Sequence, residues 1–342
     1  VVSEFIGAHH AVHWCYGSTI ANLNQDKFDI KIFIIPGRQL EKTRDFDHLN
    51  VTSLPRNYYT AREILAAWQP DIIWYPEVTM SYLTYLLALA RIAPIQCASQ
   101  GHPITTGMHT IDYYFTGETH ETEDSQNHYT EQLVKIPGQV LVYRKPPEPK
   151  KDLTFELYTA ESHQSFDMMA HNRYLCCQSM FKINWRMDLP FRLILENDPK
   201  GIIILISSNH FYNKKIRERF ARSMPQEVYD RIHILPKLEL EMFFKLLSLA
   251  HVSLDTAPFG GGNTVYQALT YSVPVIAWEG QRATERIAKN IYQFMGIENL
   301  TAKTPEEFAH IAVRTVNDSS FRKKKLKEIT TAIPPLRVVG RS

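Results

Sequence analysis

The chain has 342 residues, of which 44% are hydrophobic and 22% charged, and its formal net charge is +2. This length is too great for one ordinary core and fits two α/β domains, while the composition is that of a soluble globular enzyme. Since the charges are spread along the chain, they call for neither nucleic acid nor an anionic membrane as a partner. The longest apolar stretches, such as residues 82–90, are too short to span a bilayer.

The first half of the chain alternates short strands with helices. Residues 1–5 read as the end of a strand, so we expect an upstream domain or partner subunit outside this chain. Helical apolar spacing marks residues 59–68 and 79–92. Predicted strands cover residues 29–35, 49–54, 71–75, 94–98 and 111–116. This alternation is typical of a parallel sheet covered by helices.

The second half repeats the alternation after a proline-rich, charged linker at residues 143–151. Its predicted strands cover residues 174–178, 201–207, 232–235, 252–255 and 273–278. Its predicted helices cover residues 187–195, 214–223, 240–250, 264–271 and 285–295. Gly296 is placed to end the last of these, and a capping box at Thr304 begins another helix.

We therefore predict an α/β fold of two Rossmann-like, doubly wound domains that face a central cleft. The first domain covers residues 1–145 and the second residues 152–342, including C-terminal helices. In such folds a ligand binds outside the carboxyl ends of the strands.

Four cysteines lie in or beside apolar segments and show no metal-ligand spacing. They are Cys15, Cys97, Cys176 and Cys177. This pattern predicts buried free thiols and a cytoplasmic location.

A glycine-rich loop at residues 254–264 leads into an apolar helix and is the clearest functional signal. Gly260, Gly261 and Gly262 allow a close backbone approach. Either Asn263 or Thr264 can cap the helix, whose free N–H groups suit a phosphate. The loop matches neither the Walker A motif nor the dinucleotide fingerprint, and a glycine turn of this kind can also be a plain connector.

Two further segments follow predicted strands. Gln178 and Lys182 come just after residues 174–177, where open α/β sheets bind phosphates, although a single lysine is more often simply solvated. His102 stands between Gly101 and Pro103 after residues 94–98. A histidine on such a fixed loop can act near neutral pH, and its plain alternative is a loop histidine bonded to backbone.

The histidines near the N-terminus resemble a metal cluster only superficially. His9 and His13 form the only i, i+4 pair, and no carboxylate or third ligand stands at a fixed spacing, so we predict no metal site. The sequence Asp45-Phe46-Asp47 resembles the DxD motif of metal-dependent glycosyltransferases, but it lies in a charged segment and we interpret it as a solvated loop.

These segments together resemble glycosyltransferase family 41, which contains the O-GlcNAc transferases and the bacterial adhesin N-glucosyltransferases. The motifs of its first lobe are matched by residues 93–96, 101–107 and 111–113, and those of its second lobe by residues 181–184, 254–264, 273–274, Gly280 and Arg286. The Gly-His-Pro sequence is closer to the bacterial branch. The order of the motifs is that of the family, whose fold is GT-B.

The resemblance implies roles for particular residues. It assigns Lys182 to the donor diphosphate, and Gly261, Gly262, Asn263 and Thr264 to the loop and helix start that hold the phosphates, with Gln178 beside them. His102 resembles a histidine near the acceptor, and His9 and His13 resemble histidines that line the cleft. We take His102 and Lys182 as the catalytic residues.

One position departs from the family. Gln267 stands where an acidic residue usually binds the ribose hydroxyls, four positions after Asn263, and we expect its amide to face the nucleotide. Either the donor differs or the chain is a degenerate, non-catalytic copy.

The resemblance implies inverting, metal-independent transfer of glucose or N-acetylglucosamine from a UDP-sugar to Asn, Ser or Thr of a protein, for example an adhesin or other surface protein before export. Two alternatives stay open. One is a non-catalytic partner subunit or sugar-nucleotide-binding module, and the other is a glycosyltransferase acting on a glycan or small molecule.

Overall fold

The computed structural model describes residues 1–6, 10–36, 44–138, 143, 145–149 and 167–332. The chain divides into two compact units between Arg144 and Lys145. We call the described residues before this point unit 1 and the described residues after it unit 2. The two are described separately below.

Unit 1 contains two parallel sheets and three α-helices. Its elements are β1 (Val2–Ser3), α1 (Ala11–Ala21), β2 (Lys31–Ile34), β3 (Asn50–Ser53), α2 (Tyr58–Ala67), β4 (Ile72–Tyr75), α3 (Tyr82–Ala88), β5 (Ile95–Ser99), β6 (Tyr113–Gly117) and β7 (Gln132–Ile136). The first sheet has the order β1-β2-β3 and the second the order β4-β5-β6-β7, and every strand pair is parallel.

Local sequence explains where the helices of unit 1 begin. Asn57 caps α2, since its side-chain oxygen accepts from the Thr60 N–H at 3.1 Å. Ser81 caps α3 in the same way. For this reason the predicted helix at residues 79–92 is in fact a 3₁₀ turn, Val78–Met80, followed by the separate helix α3. Buried side chains of both helices pack with those of the strands.

Unit 2 is built on a six-stranded parallel sheet. Its elements are β8 (Asn172–Cys176), α4 (Asp188–Asn197), β9 (Gly201–Ile206), α5 (His210–Ser223), α6 (Gln226–Tyr229), β10 (Ile232–Leu235), α7 (Leu240–Leu249), β11 (Val252–Leu254), α8 (Asn263–Thr270), β12 (Val275–Trp278), α9 (Ala283–Met295), β13 (Thr301–Ala302), α10 (Pro305–Asn317) and α11 (Ser319–Ala332). The strand order is β10-β9-β8-β11-β12-β13.

This order makes unit 2 doubly wound. The chain moves outward from β8 through β9 to β10, then returns to place β11 on the other side of β8. The winding direction therefore reverses between β8 and β11. In open α/β sheets, ligands bind outside the carboxyl ends of the strands at such a reversal.

The predicted α/β class with parallel sheets is confirmed. Gly296 ends α9 in the left-handed conformation, with φ 67°, and Thr304 caps α10, which begins at Pro305, both as predicted. Two strands, β7 and β13, were not predicted. Across the part of the chain that the structure describes, no helix combines the length and apolarity that a bilayer crossing requires.

Candidate functional site

The candidate site lies at the carboxyl ends of β8 and β11, where the winding of unit 2 reverses. Gln178 and Lys182 follow β8, and the glycine loop follows β11. The segment after β8 and the glycine loop, in which Lys182 and Gly260 are 78 positions apart, thus lie side by side, as expected after neighbouring parallel strands. The structure therefore brings these predicted residues together.

The glycine loop is tied down by hydrogen bonds along its length. The Lys182 ammonium donates to the Gly260 carbonyl at 2.9 Å, and the Asn184 amide donates to the Ala257 carbonyl at 2.5 Å. The Gly261 N–H donates to the Asp255 carboxylate at 2.7 Å. The backbone of this loop is therefore held in place by the segment that follows β8 and by the end of β11.

Glycine is required at position 261 because protein side chains already fill the space around it. A Cβ there would lie 2.1 Å from Gln178 Nε2 and 2.2 Å from Thr264 Oγ1. Both atoms belong to one network, in which Gln178 Nε2 donates to Thr264 Oγ1 at 2.8 Å and to Asp255 Oδ1 at 3.2 Å. At this position the close approach is made by the protein's own polar groups.

The start of α8 differs from the prediction. The N-cap is Gly262, and no side chain caps the helix, so neither Asn263 nor Thr264 has the predicted capping role. Thr264 Oγ1 instead accepts from Gln178. Asn263 Oδ1 is buried and has no hydrogen-bond partner among the described residues. The first N–H groups of α8 are therefore left without a side-chain cap, which suits an anion.

Two charged groups flank this helix start. The Lys182 ammonium lies 4.3 Å from the centre of the Phe259 ring, and burial lowers its pKa, although Asp255 acts in the opposite direction. Burial raises the pKa of the Asp255 carboxyl to about 6, against the N–H groups of Gly261 and Thr256 and the Lys182 cation, which lower it. Asp255 is 4% exposed, and its buried carboxylate holds the glycine loop through the Gly261 N–H.

Gln267 lies one turn beyond Asn263 in α8 but is 4% exposed. Its side chain is therefore largely covered by protein, and the expectation that its amide faces the nucleotide stays a prediction. Helical spacing predicted the position of Gln267 on α8. Its burial depends on the elements that pack around this helix, which spacing does not reveal.

His102 of unit 1 lies on a loop that is fixed on both sides. Thr79 Oγ1 is hydrogen-bonded to its Nδ1, and the Tyr114 hydroxyl donates to its carbonyl at 2.8 Å. The preceding Gly101 donates its N–H to the Pro76 carbonyl at 3.0 Å, and a Cβ at this glycine would lie 2.4 Å from the same oxygen. Glycine is therefore needed to bring His102 to this position.

The N-terminal histidines do not behave alike. His9 lies outside the described residues. His10 caps α1 by accepting from the Val12 N–H at 3.2 Å. His13 is 2% exposed and its Nε2 lies 2.8 Å from the Asp45 carboxylate, so its ring is engaged inside unit 1 instead of lining an open cleft.

The Asp45-Phe46-Asp47 segment is not the solvated loop that we predicted. Arg44–Phe46 forms a 3₁₀ turn, Phe46 is 2% exposed, and Asp45 pairs with His13. In this DxD sequence Asp45 is therefore the ion-pair partner of His13, and Phe46 is a buried core residue. Within the described residues, no three His, Cys, Asp or Glu side chains are grouped so that they can hold a metal ion.

Three buried or half-buried residues hold the loops described above but were not predicted to do so, namely Asp255, Asn184 and Glu77. Glu77 follows β4, is 1% exposed, and accepts from Ser3 Oγ at 2.8 Å and from the Glu4 N–H at 2.9 Å. Burial raises the pKa of its carboxyl to about 7. A polar residue one or two positions after an apolar strand is the signal that could have identified Asp255 and Glu77.

Comparison with solved structures defines the fold. The chain superposes on a Thermobaculum terrenum O-GlcNAc transferase mutant with a TM-score of 0.82 at 18% identity, over 99% of this chain and 63% of that one. Anabaena HepE in complex with UDP and glucose gives a TM-score of 0.62 at 10% identity, over 98% and 94% of the chains. The fold is that of the GT-B glycosyltransferases.

Sequence comparison gives the family. The sequence model of glycosyl transferase family 41 matches residues 165–334, and this part of the chain therefore belongs to that family. The tomato (Solanum lycopersicum) "Probable UDP-N-acetylglucosamine--peptide N-acetylglucosaminyltransferase SPINDLY" is 27% identical over 71% of this chain. The "UDP-glucose:protein N-beta-glucosyltransferase" of Actinobacillus pleuropneumoniae serotype 5b is 22% identical over 73%. The matches span only 26% and 39% of those two proteins.

Proposed function

We propose that this chain is an inverting glycosyltransferase that moves glucose or N-acetylglucosamine from a UDP-sugar to an Asn, Ser or Thr side chain of a protein. One observation carries the proposal. At the reversal point of unit 2, the start of α8 has no side-chain cap and lies beside the loop carbonyl that holds the Lys182 ammonium. A helix N-terminus and a lysine together suit a diphosphate.

The relatives support the choice of donor and acceptor. Their names specify UDP-N-acetylglucosamine or UDP-glucose as donor and a peptide or protein as acceptor. In this proposal unit 2 binds the nucleotide sugar and unit 1 serves the acceptor. The four cysteines are free thiols, three of them buried, which supports a cytoplasmic location.

The chemistry follows from where charge develops. The bond between the anomeric carbon and the diphosphate oxygen breaks while the acceptor nitrogen or oxygen bonds to the opposite face of that carbon. Negative charge then grows on the leaving UDP, where Lys182 and the N–H groups of α8 stabilise it in place of a divalent ion. Loss of one such donor typically costs about 3 kcal/mol, or roughly a hundredfold in rate.

The acceptor must lose a proton, and we assign its handling to His102. The hydrogen bond between Thr79 Oγ1 and its Nδ1 orients the ring, and a histidine held in this way can exchange a proton near neutral pH. Lys182 can keep its bond to the Gly260 carbonyl when the diphosphate binds, since an ammonium has three N–H donors.

A non-catalytic sugar-nucleotide-binding subunit is the second candidate, and Gln267 favours it. The residue replaces the family's acid and is 4% exposed, so it offers the ribose at most a neutral amide.

Hydrolysis of the donor separates the two candidates. Purified protein is incubated with UDP-glucose or UDP-N-acetylglucosamine, and released UDP is measured with and without EDTA. An enzyme transfers some sugar to water, so we expect slow UDP release that EDTA does not abolish and that is lost in Lys182→Ala. UDP binding without any release supports the non-catalytic candidate, and release that depends on added manganese contradicts the metal-independent mechanism.

A further inference from the structure

An exposed group of aromatic side chains lies at the same edge of unit 2 as the candidate donor site. Phe181 and Trp185 follow β8, and Phe211 and Tyr212 lie in the first turn of α5. We call these four residues the aromatic platform. Phe181 is 62%, Trp185 70% and Phe211 64% exposed. Single exposed apolar residues are ordinary, but grouped ones mark an interaction surface.

Three rings of the platform, those of Phe181, Phe211 and Tyr212, are close to one another. The Phe181 and Tyr212 ring centroids are 6.3 Å apart, and those of Phe211 and Tyr212 are 5.6 Å apart. Leu189, at the start of α4, is 43% exposed and extends the apolar surface of the same segment. Aromatic side chains of this kind supply large contact areas with little loss of conformational entropy.

The backbone beneath the platform is held by buried and half-buried polar groups. Arg219 of α5 donates to both Asp188 carboxylate oxygens at 3.0 Å and to the Ile183 carbonyl at 2.9 Å. These bonds tie α5 to the segment that carries Phe181 and Trp185. A binding surface that is fixed in advance loses less freedom when its partner arrives.

The platform is also continuous with the donor site. Phe181 and Lys182 belong to one 3₁₀ turn, Met180–Lys182. Asn184 accepts from the Arg186 N–H at 2.9 Å and donates to the Ala257 carbonyl of the glycine loop. A molecule lying across the platform is therefore next to the place where Lys182 would hold the donor diphosphate.

We propose that the aromatic platform binds the acceptor polypeptide, taking up apolar side chains that flank the residue to be glycosylated. This inference rests on the proposed function and deepens it by naming where unit 2 meets the acceptor. Aromatic anchors in a fixed setting are the residues that dominate the energy of polypeptide recognition.

A polypeptide fits the platform better than a glycan does. Recognition of a sugar needs polar groups that converge on its hydroxyls as well as a ring face. The polar side chains of this segment are already engaged: Asp188 with Arg219 and Ser223, Asn184 with the glycine loop, and Arg186 with Glu285 at 3.7 Å. What this segment offers outward is mainly the rings of Phe181 and Trp185 and the Leu189 side chain.

The test compares two fluorescent peptides that share a central segment containing Asn, Ser and Thr. One peptide carries Val, Leu and Phe on both sides of this segment, and the other carries Gly and Ser. We expect the apolar peptide to bind more tightly in an anisotropy titration. The double variant Trp185→Ala with Phe211→Ala should lose about tenfold in affinity for it, as expected for two aromatic contacts.

The control is Phe294→Ala in α9, an aromatic residue 43% exposed outside the platform, which should bind the peptide like the wild type. UDP affinity is measured on the same samples and should be unchanged in both variants. Equal binding of the two peptides, an unchanged affinity in the double variant, an equal loss in Phe294→Ala, or binding of chitotetraose in place of the peptide would overturn the inference. Absence of UDP binding to the wild type refutes the proposed function itself, so the two failures are distinct.

Discussion

At the scale of single residues, Glu77 combines deep burial with an ionisable group. Its carboxyl accepts from Ser3 and from the Glu4 backbone, which holds the turn after β1 against the end of β4. Burial raises its pKa from 4.5 to about 7. The folded protein therefore takes up a proton here more readily than the unfolded chain does, and the cost of the buried charge appears as the pH rises from 4.5 towards 7 and is complete above 7.

Replacement of Glu77 by Gln removes this titration while keeping an oxygen that can accept from Ser3 and Glu4. We expect the free energy of unfolding of Glu77→Gln, relative to the wild type, to rise by about 2 to 3 kcal/mol between roughly pH 5 and pH 8.5. Urea unfolding at the two pH values measures it. A difference between the two proteins that is the same at both pH values contradicts the assignment.

Gln267 is the residue of α8 that we expect to contact the nucleotide. Its position in α8 is one turn beyond Asn263, yet it is 4% exposed. We predict that its amide reaches the ribose when UDP binds, so that Gln267→Leu weakens UDP affinity by about fivefold, the loss of one neutral hydrogen bond of about 1 kcal/mol. Calorimetric titration checks this, with the exposed Gln293→Leu of α9 as control. An unchanged affinity in Gln267→Leu shows that the residue only packs the core.

At the scale of elements, α8 is a helix whose N-terminus is left without a side-chain cap. An uncapped start costs stability, and it leaves N–H groups available for an anion. The structure therefore predicts opposite effects on folding and on binding when a cap is introduced at Gly262.

Both Gly262→Asn and Gly262→Asp supply a side-chain oxygen that can accept from the first N–H groups of α8. We expect each to raise the free energy of unfolding by roughly a few tenths of a kcal/mol, since glycine is itself a fair N-cap residue. Only Gly262→Asp adds a negative charge at the place proposed for the diphosphate, so its UDP affinity should fall well below that of Gly262→Asn. Thermal melting and UDP titration of the pair decide the matter, and equal UDP affinities of the two variants would place the diphosphate elsewhere.

The predictability of the elements follows from their physics. A long apolar run such as β9 is buried, and its composition alone predicts a strand. By contrast β7, Gln132–Ile136, is half exposed and mixes a charged residue with apolar ones, so its sequence shows no clear periodicity. The helix predicted from residue 79 begins only at Tyr82, because the Ser81 side chain caps the first N–H groups of α3. Side-chain partners that are distant in sequence, such as Asp45 for His13, leave no signal in spacing at all.

At the scale of the whole molecule, the candidate site depends on strand order more than on any one motif. Gln178 and Lys182 come close to the glycine loop because β8 and β11 are neighbours in the sheet. The sequence allowed the two segments to be predicted as phosphate-binding, since each follows an apolar strand. It did not reveal that Asp255, Gln178 and Thr264 form one hydrogen-bonded network, because that network requires the tertiary fold.

At this scale we propose that unit 2 binds UDP with its diphosphate between Lys182 and the start of α8. The most direct measurement is a calorimetric titration of UDP into the wild type, Lys182→Ala and the control Lys200→Ala, an exposed lysine that directly precedes β9 and so lies at the amino end of the strands. Thermal melts verify that all three proteins are folded. We expect Lys200→Ala to bind UDP as the wild type does. Lys182→Ala should lose roughly a hundredfold in affinity, which corresponds to the free energy of one strong hydrogen bond to a charged group. An unchanged UDP affinity in folded Lys182→Ala would contradict it.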